Sequence, residues 1–523
     1  MAVDYIVPMG HDDGARIARA LEAMVTSKTL EWDSTLGRYD DQSVANWLAA
    51  MRDGKAYGVS IPKGSATACT KLGANAGMPN PIPGIVGRPA VDPYTGQGPF
   101  VHFNANGYVD ADGSPHVTAI EGDGRYKRDG SNGNVWVLTP VLWWAFDASG
   151  DSAVTVFVSD TRLSGMSAQP QAYLPDGSLR PFMLYAKYAG SNDGEGMMQS
   201  VSGAKPWNRT VSHNSLITQC KTATTGYSGK SIADDWYLKI MFLLKYATKN
   251  SQSVLAGCTS YNYQYTLAAA ETGVTRVILM NAQAANLVVG SAMMLGTHSG
   301  SDRNTAANYN KFDGLRIIKI EAYDEDNSAV YFDTTTAFNT LTTDFLSTSP
   351  WWTGSCDLVE GDGSPTDPTS GKEPFVLQGI ETAVGFYEVV GDVIVSSDGS
   401  TGWEICICKD SKNEATSVTT DYTHTGKYMY SDGTDSWKYP MYPDNASGML
   451  FGASYGASQS TGMCDGSYTN KITTQGTREW LGLGFLGNGG HAGLWFVVAF
   501  DALADANWGI GSRLSATGRA LAA

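Results

Sequence analysis

Apolar residues at helical spacing predict two amphipathic helices near the start of the chain. The first stretch, DDGARIARALEAMVTS, has an acidic cap followed by one apolar stripe, formed by Ile17, Leu21 and Met24. The second stretch, DDQSVANWLAAMRDG, has one stripe and a glycine stop: Val44, Trp47, Leu48, Met51 and Gly54. Neither helix is long enough to be stable alone. We expect this leader, residues 1–56, to pack on the main body, on a second copy of the chain, or on an attachment point.

From residue 57 to about residue 159 the pattern changes to short strand-like runs, such as VWVLTPVLWWAFD and AVTVFVSD, separated by Gly, Asp and Asn turns. One strong helix pattern follows in SIADDWYLKIMFLLKYATKNSQ. Ser231 and Asp234 form a capping box there, and a broad apolar surface follows, made by Trp236, Ile240, Leu243, Leu244 and Ala247. We expect this helix to lie in a core. Residues 257–447 return to short strands and polar turns, so the sequence predicts one large α+β body with long insertions.

Composition excludes several classes of partner. The chain has 523 residues, and its 36 Lys and Arg against 52 Asp and Glu give a formal charge of −16, which repels phosphate backbones and anionic lipids. We therefore expect neither nucleic acid as a partner nor insertion into a membrane. The seven cysteines are dispersed, odd in number and without metal-ligand spacing, which indicates reduced thiols. The N-terminal residues do not resemble a secretory signal, so we expect synthesis and folding in a cytoplasm.

Catalytic and cofactor motifs are scarce. We find no His-Glu-x-x-His, no Cys-x-x-Cys and no glycine loop that follows a strand, so no cofactor or metal is predicted. The carboxylate pair Asp234 and Asp235 is typical of a helix cap, and EAYDEDN is typical of a solvated turn. DADGSP and DGSNGN resemble pieces of a calcium loop but lack the terminal bidentate acid, so turns are expected.

The stretch GNGGHAGLWFVVAFDALADANWGIGSRLS, residues 487–515, holds a strand that is apolar on both faces. Side chains alternate along a strand, so Trp495, Val497 and Ala499 point one way. The opposite set is Leu494, Phe496, Val498 and Phe500. The strand is either central and buried on both faces, or it buries one face and exposes an apolar patch to a ligand.

The order of four segments resembles the C-type-lectin-like fold in its formylglycine-generating-enzyme branch. These segments are DDWYLKIMFLLKYATKNSQS, GIETAVGFYEVVGD, WLGLGFLGNGGHAG and NWGIGSRLS, and the resemblance covers roughly residues 135–521. The ending GGHAGLWFVVAFDALADANWGIGSRLSA is similar to the variable proteins of diversity-generating retroelements, many of which are phage tail proteins. YGVSIPKGSATACTKLG and YATKNSQS likewise look like structural proteins of gut phages. The resemblance implies a lectin-like domain at 135–523, preceded by the helical leader and a β-rich segment at 57–134.

In that family a reverse transcriptase randomises the adenines of Asn codons, and the resulting variable residues bind a ligand. The resemblance places a variable region at about 480–514, with candidate positions at Phe485, Gly487, Asn488, His491, Phe496, Val498, Phe500, Asp501, Asp505, Asn507 and Gly509. Adenine randomisation of an Asn codon cannot produce Lys, Glu, Gln, Met or Trp, and none of these positions holds one. We expect Phe496, Val498 and Phe500 to form an exposed patch. Trp508, Ile510, Arg513 and the glycines would then be a rigid scaffold.

Departures from the pattern argue against an enzyme. The branch motif Asn-x-x-Gly-Asn-x-Trp survives only in Gly385, and the pair of C-terminal cysteines that would hold copper is reduced to Cys464. The resemblance implies a virion protein of the phage tail, assembled in the bacterial cytoplasm, that binds a host cell-surface protein or glycan as a homo-oligomer, by analogy a trimer, beside other tail proteins. The alternatives are a formylglycine-generating-type oxidase and a structural virion protein without a receptor.

Overall fold

The fold is described from a computed structural model, for residues 30–174, 176–221 and 226–516. It is an α+β structure in which strands far outweigh helices. Four α-helices occur in the described part of the chain: α1 (Asp41–Ala49), α2 (His213–Gln219), α3 (Ile232–Tyr246) and α4 (Asn281–Ala284). The first predicted helix, with Ile17, Leu21 and Met24, lies outside the described residues.

The strands are short. Many lie in the stretches predicted to be strand-like, residues 57–159 and 257–447, but two lie within the leader that was predicted to be helical and several lie between residues 160 and 230. The first group is β1 (Trp32–Asp33), β2 (Arg38–Tyr39), β3 (Tyr57–Pro62), β4 (Thr70–Gly73), β5 (Phe103–Val109), β6 (Pro115–Ile120), β7 (Val135–Thr139), β8 (Trp143–Asp147), β9 (Ala153–Ser159), β10 (Ser167–Ala168), β11 (Met183–Ala186), β12 (Ser191–Asn192), β13 (Met198–Gln199) and β14 (Ser228–Gly229). The second group is β15 (Gln264–Thr266), β16 (Arg276–Met280), β17 (Ala292–Gly296), β18 (Phe312–Ala322), β19 (Asn327–Phe332) and β20 (Phe345–Ser349).

The last group is β21 (Phe375–Leu377), β22 (Ile380–Thr382), β23 (Tyr387–Asp398), β24 (Trp403–Cys408), β25 (Tyr422–Met429), β26 (Ser436–Lys438), β27 (Pro440–Ala446), β28 (Met449–Tyr455), β29 (Ser467–Thr469), β30 (Gln475–Leu483), β31 (Gly493–Ala499), β32 (Ile510–Gly511) and β33 (Leu514–Ser515). The predicted turns also form. Asp112 and Asp129 accept backbone N–H groups of Ser114 and Ser131, which makes them turn residues.

Four sheets carry the architecture. Their strand orders are β10-β8-β9-β3-β4, β14-β33-β11-β7-β5-β6, β15-β20-β17-β18-β19-β16, and β25-β24-β23-β30-β31-β29-β26 with β32 added beside β23. Strands β5 and β7 pair with each other, as do β3 and β9, so hydrogen bonding continues across position 134. The C-terminal strand β33 lies between β14 and β11 and closes the second sheet.

Helix α3 is the centre of the core. Its capping box forms as predicted, because Ser231 Oγ accepts from the N–H of Asp234 and the Asp234 carboxylate accepts from the N–H of Ser231. All residues of α3 are buried. Its side chains pack against β3 and β9 on one side and against β23, β30 and β31 on another. The helix is therefore enclosed by several sheets, which explains why it is apolar on more than one face.

Helix α1 packs on the body. Asp40 caps it by accepting from the N–H of Ser43, and Val44, Trp47 and Leu48 bury against the sheet that contains β5 and β7. The helix ends at Ala49, so the predicted stop at residue 54 comes five residues too late. All seven cysteines are free thiols, as predicted. No helix in the described ranges is long and apolar enough to cross a membrane.

Candidate ligand-binding site

Strand β31 is a central strand with both edges paired. It runs antiparallel to β30, with Val498 opposite Leu481, and parallel to β29, with Val498 opposite Tyr468. Trp495, Val497 and Ala499 lie in the clusters that contain α3. Leu494, which the alternation assigned to the opposite face, joins Trp495 in the same core, and all seven residues of the strand are buried.

The expectation that Phe496 and Val498 face solvent is wrong. Phe496 is 1% exposed and Val498 is 7% exposed. The Phe496 ring stacks on Tyr387 with centroids 5.8 Å apart and lies 5.6 Å from the ring of Trp437. These covering rings come from β23 and β26, which are distant in sequence, so the strand pattern alone could not indicate the cover.

A row of partly exposed rings lies over this buried layer. Adjacent centroids are 5.5 Å apart for Phe500 and Tyr468, 5.0 Å for Tyr468 and Trp437, and 4.2 Å for Trp437 and His491. Tyr439 ends the row, and its hydroxyl is 2.6 Å from Nδ1 of His491. We call these five residues the aromatic row. Only Phe500 and His491 belong to the predicted set, because Trp437, Tyr439 and Tyr468 lie on segments without a distinguishing motif.

The surroundings of His491 favour its neutral form. Its ring stacks nearly parallel on Trp437, with an interplanar angle of 15°. Burial of the ring lowers the pKa of His491 below its ordinary value. A neutral imidazole on an indole leaves a flat, mostly apolar surface with one ring nitrogen held by Tyr439.

The glycine turn before β31 is fixed by the Asn488 side chain within it and by two residues outside it. The side chain of Asn488 is buried, and its oxygen accepts from the N–H of Phe485 at 2.8 Å. Asn488 therefore stabilises the turn. Gln252 donates to the carbonyls of Gly489 and Ala492. Gly493 has φ +138°, and a Cβ there would lie 2.4 Å from the Asp465 carboxylate. The backbone of the turn is therefore held independently of the side chains that it presents.

The loop after β31 is open to solvent. Phe500 is 40% exposed, and Asp505 is exposed with its carboxylate accepting from the N–H of Ala502. Asn507 accepts from the N–H of Gly509 at 2.9 Å, and Gly509 is buried. The loop thus ends in a tight turn in which the Asn507 side chain accepts from Gly509 and the Asn507 carbonyl accepts from the N–H of Ile510.

Charge around the loop is asymmetric. The pKa of the Asp501 carboxyl is raised above its ordinary value, mainly by burial and also by the nearby Asp505, although the positive charge of Arg303 opposes this shift. The Arg303 guanidinium lies 4.6 Å from the ring centroid of Phe485, which is a cation–π distance. Arg303 lies in the loop between β17 and β18, and no sequence signal pointed to it.

The closing segment is held by buried charges. Trp508 is buried as predicted, and Ile510 and Gly511 pair in parallel with Tyr387 and Glu388. Arg513 Nη2 lies 2.5 Å from Oε1 of Glu388, whose Oε2 is 2.6 Å from Nζ of Lys230. Although burial opposes ionisation, Arg513 and Lys230 hold the pKa of Glu388 below its ordinary value. Arg513 is therefore part of the scaffold.

The structure divides the predicted positions into two groups. Seven are exposed or half-buried at the surface: Phe485, Gly487, His491, Phe500, Asp501, Asp505 and Asn507. Four are buried: Asn488, Phe496, Val498 and Gly509. The surface group and the aromatic row together define one candidate binding face.

A separate groove lies on another part of the eight-stranded sheet. It has a cavity volume of about 330 Å³ and is lined by residues of β24, β25, β28 and the segment after β25, including Ile405, Tyr428, Tyr430 and Phe451. None of the predicted positions lines this groove. It offers an internal comparison for binding experiments.

Comparison with known proteins gives no assignment. No family model matches the chain, and no curated protein matches it.

Proposed function

We propose that this chain is a phage tail receptor-binding protein whose C-terminal region presents a non-catalytic binding face to a host-surface protein or glycan. The lectin-like fold and the retroelement origin of its variable positions belong to the same proposal. The fold rests on the resemblance over roughly residues 135–521, and the retroelement origin rests on the similarity of residues 489–516 described above. The face is made of the aromatic row and the polar residues Asp501, Asp505 and Asn507.

The observation that carries the proposal is the continuous aromatic row. Its five rings are each in contact with a neighbour and each partly exposed. Rings of this kind supply large apolar contact area at small entropic cost, and binding hot spots are enriched in them. A solvent-exposed group of adjacent aromatic rings with acidic residues beside it is typical of a recognition surface.

The second support is the independence of backbone and side chains. The glycine turn, the start of β31 and the closing segment are held by Gln252, Asp465 and Glu388, none of which is in the predicted set. Exposed side chains that do not themselves bond the backbone, such as Phe500, can then change without loss of the fold. Preorganised presentation of this kind limits the entropy lost on binding.

The burial of four of the eleven candidate positions reduces the number of residues that can be diversified without cost to the fold. Substitution at Phe496 or Val498 alters the layer beneath the rings, and its cost falls on stability. The positions free to vary are therefore the seven surface ones. In a homo-oligomer, by analogy a trimer, repeated weak contacts through this face would add up by avidity.

The binding test compares the full chain with three variants on host envelope fractions separated into protein and glycan components. We expect Phe500→Ser and Trp437→Ala to weaken binding at least about tenfold, because truncation of a hot-spot ring costs about 2 kcal/mol or more. Tyr428→Ala, in the separate groove, is the matched control and should bind like the wild type. Loss in Tyr428→Ala alone would place binding in the groove and contradict the proposal.

The genetic test examines the neighbourhood of the gene. We expect a template repeat and a reverse-transcriptase gene, with mismatches confined to adenines and concentrated at the seven surface positions. Sibling sequences that vary evenly along the chain would contradict diversification. Copper-dependent oxidation of a cysteine-containing sulfatase peptide would instead support the oxidase alternative.

A further inference from the structure

Three metal-ligating side chains meet on β24 and β25, away from the candidate binding face. They are Glu404 and Cys406, two residues apart on β24, and His424 opposite Cys406 on β25. In the sheet order, β23 and β30 separate β24 from β31. The group leaves no signature in the sequence, because its members lie on two strands and fit no linear spacing.

The three donor atoms already lie close together. Nδ1 of His424 is 3.6 Å from Sγ of Cys406 and 2.8 Å from Oε2 of Glu404. All three donor atoms lie within 4.8 Å of one another. With Zn–S near 2.3 Å and Zn–N near 2.0–2.1 Å, tetrahedral coordination places sulfur and nitrogen about 3.6 Å apart. The sulfur–nitrogen distance therefore fits a shared zinc ion without movement.

The nitrogen–oxygen pair needs a small adjustment. Tetrahedral coordination places these atoms about 3.4 Å apart, so the imidazole has to move away from Glu404 by roughly half an ångström. The His424 side chain is 61% exposed, which leaves it free to turn. Cys406 is fully buried beneath it, so the ion would sit at the surface of the sheet with one coordination position facing solvent.

A bulge in β25 supports the carboxylate. The pairing register shifts between Glu404 and Cys406, so three residues of β25 oppose one of β24. Gly426, in the bulge with φ +64°, donates its N–H to Oε1 of Glu404 at 3.1 Å. One oxygen is thereby held by the backbone while the other faces His424. Such outer contacts orient metal ligands.

The chemistry of the donor set selects the ion. A thiolate, an imidazole and a carboxylate suit zinc and similar borderline-soft divalent ions better than calcium or magnesium. The two negative donors balance the charge of the ion. The nearby Lys427 is paired with Asp444 and does not supply a competing positive charge to the group.

We propose that Glu404, Cys406 and His424 form a zinc-type site that joins β24 to β25, with a fourth position open to solvent. Binding forms bonds from the metal to Sγ, Nδ1 and Oε2. As the bonds form, the thiol proton of Cys406 leaves to solvent, the Nδ1 proton that His424 donates to Glu404 is released and the imidazole keeps its remaining proton on Nε2, and no electron is transferred. The proposal is independent of the binding face described above.

The test uses the full chain without a histidine tag, stripped of metal and titrated with Co²⁺. We expect one Co²⁺ per chain with a thiolate-to-cobalt charge-transfer band, which Zn²⁺ abolishes by displacement. Cys406→Ser should remove the band. His424→Ala should weaken Co²⁺ binding at least about tenfold, and its exposed position keeps the fold intact.

Cys408→Ser is the matched control, since Cys408 is a buried thiol on the same strand and in the same small cluster as Cys406. It should bind Co²⁺ like the wild type. Absence of the band in the wild type, its persistence in Cys406→Ser, or equal loss in both cysteine variants would overturn the proposal. In that case the three side chains are only a hydrogen-bonded group.

Discussion

Strand β31 and the loop that follows it are adjacent in sequence but differ in environment. Phe496 and Val498 are buried, while Phe500 and Asp505, a few residues later, are exposed. The alternation of side chains tells which residues share a face of a strand. It does not tell whether that face has a cover, because Tyr387 and Trp437 come from elsewhere in the chain. A binding face can thus begin in the middle of one apolar run.

The largest expected difference is between the two phenylalanines. Phe496→Ala should lower the free energy of unfolding by about 4 kcal/mol, because it leaves a cavity under the aromatic row. Phe500→Ala should lower it by less than about 1 kcal/mol, because its ring is already partly hydrated. Urea denaturation of both variants measures the contrast. Equal losses would mean that the strand and the loop do not differ as described.

Substitutions in the closing segment should lower stability strongly, as in strand β31 and unlike in the loop. Arg513→Met should lower the free energy of unfolding by about 3 kcal/mol, since it leaves the buried Glu388 with Lys230 as its remaining charged partner. The control is Lys319→Met, which breaks an exposed pair with Glu321 and should have little effect. A loss in the control as large as that in Arg513→Met would contradict a special role for the buried network.

The free energy of unfolding should depend on pH through Glu479, a buried residue beneath the loop. Glu479 is fully buried; one oxygen accepts from the N–H of His213 at 2.9 Å, and the other has no hydrogen-bonding partner among the described residues. Burial raises the pKa of Glu479 well above its ordinary value, and Asp501 and Asp505 raise it further. The folded state therefore holds this proton more tightly than the unfolded state. Its contribution to stability is complete below about pH 4 and is lost as the pH rises through the folded pKa.

Glu479→Gln removes this dependence. Each unit by which the pKa is raised corresponds to about 1.4 kcal/mol. The variant should gain stability relative to wild type as the pH rises from 4 to 8, and denaturation curves at several pH values measure the difference. A difference that does not change with pH would contradict the assignment to Glu479.

The smallest effect on stability is expected in the loop itself. Asp505→Asn keeps an acceptor for the N–H of Ala502, so the free energy of unfolding should change by no more than about 0.5 kcal/mol. Ligand binding should change nonetheless, because the carboxylate is exposed on the proposed face. A large loss of stability would show that this loop is part of the scaffold.

Local features were the predictable part of this fold. The capping box at Ser231, the stripe on α1 and the reduced cysteines follow from short-range rules, and all are confirmed. Long-range features were not predictable. The cover over Phe496, the charges around Glu388 and the group at His424 each depend on segments far apart in sequence.

The candidate site also combines features that follow from local sequence with features that depend on distant segments. The glycine turn and the buried Trp508 could be anticipated from residue type. The rings of Trp437, Tyr439 and Tyr468 could not, because their segments join the site only through β26 and β29. The lectin-like fold stays a prediction drawn from the resemblance.

Strand β33 has a consequence for synthesis on the ribosome. It supplies the strand between β14 and β11, so a sheet whose other members end at residue 229 is completed by residues 514 and 515. Some 285 residues, the difference between 514 and 229, must be translated before that gap is filled. Over that interval the edges of β14 and β11 lack the strand that joins them in the finished sheet, and unpaired edges of this kind favour aggregation.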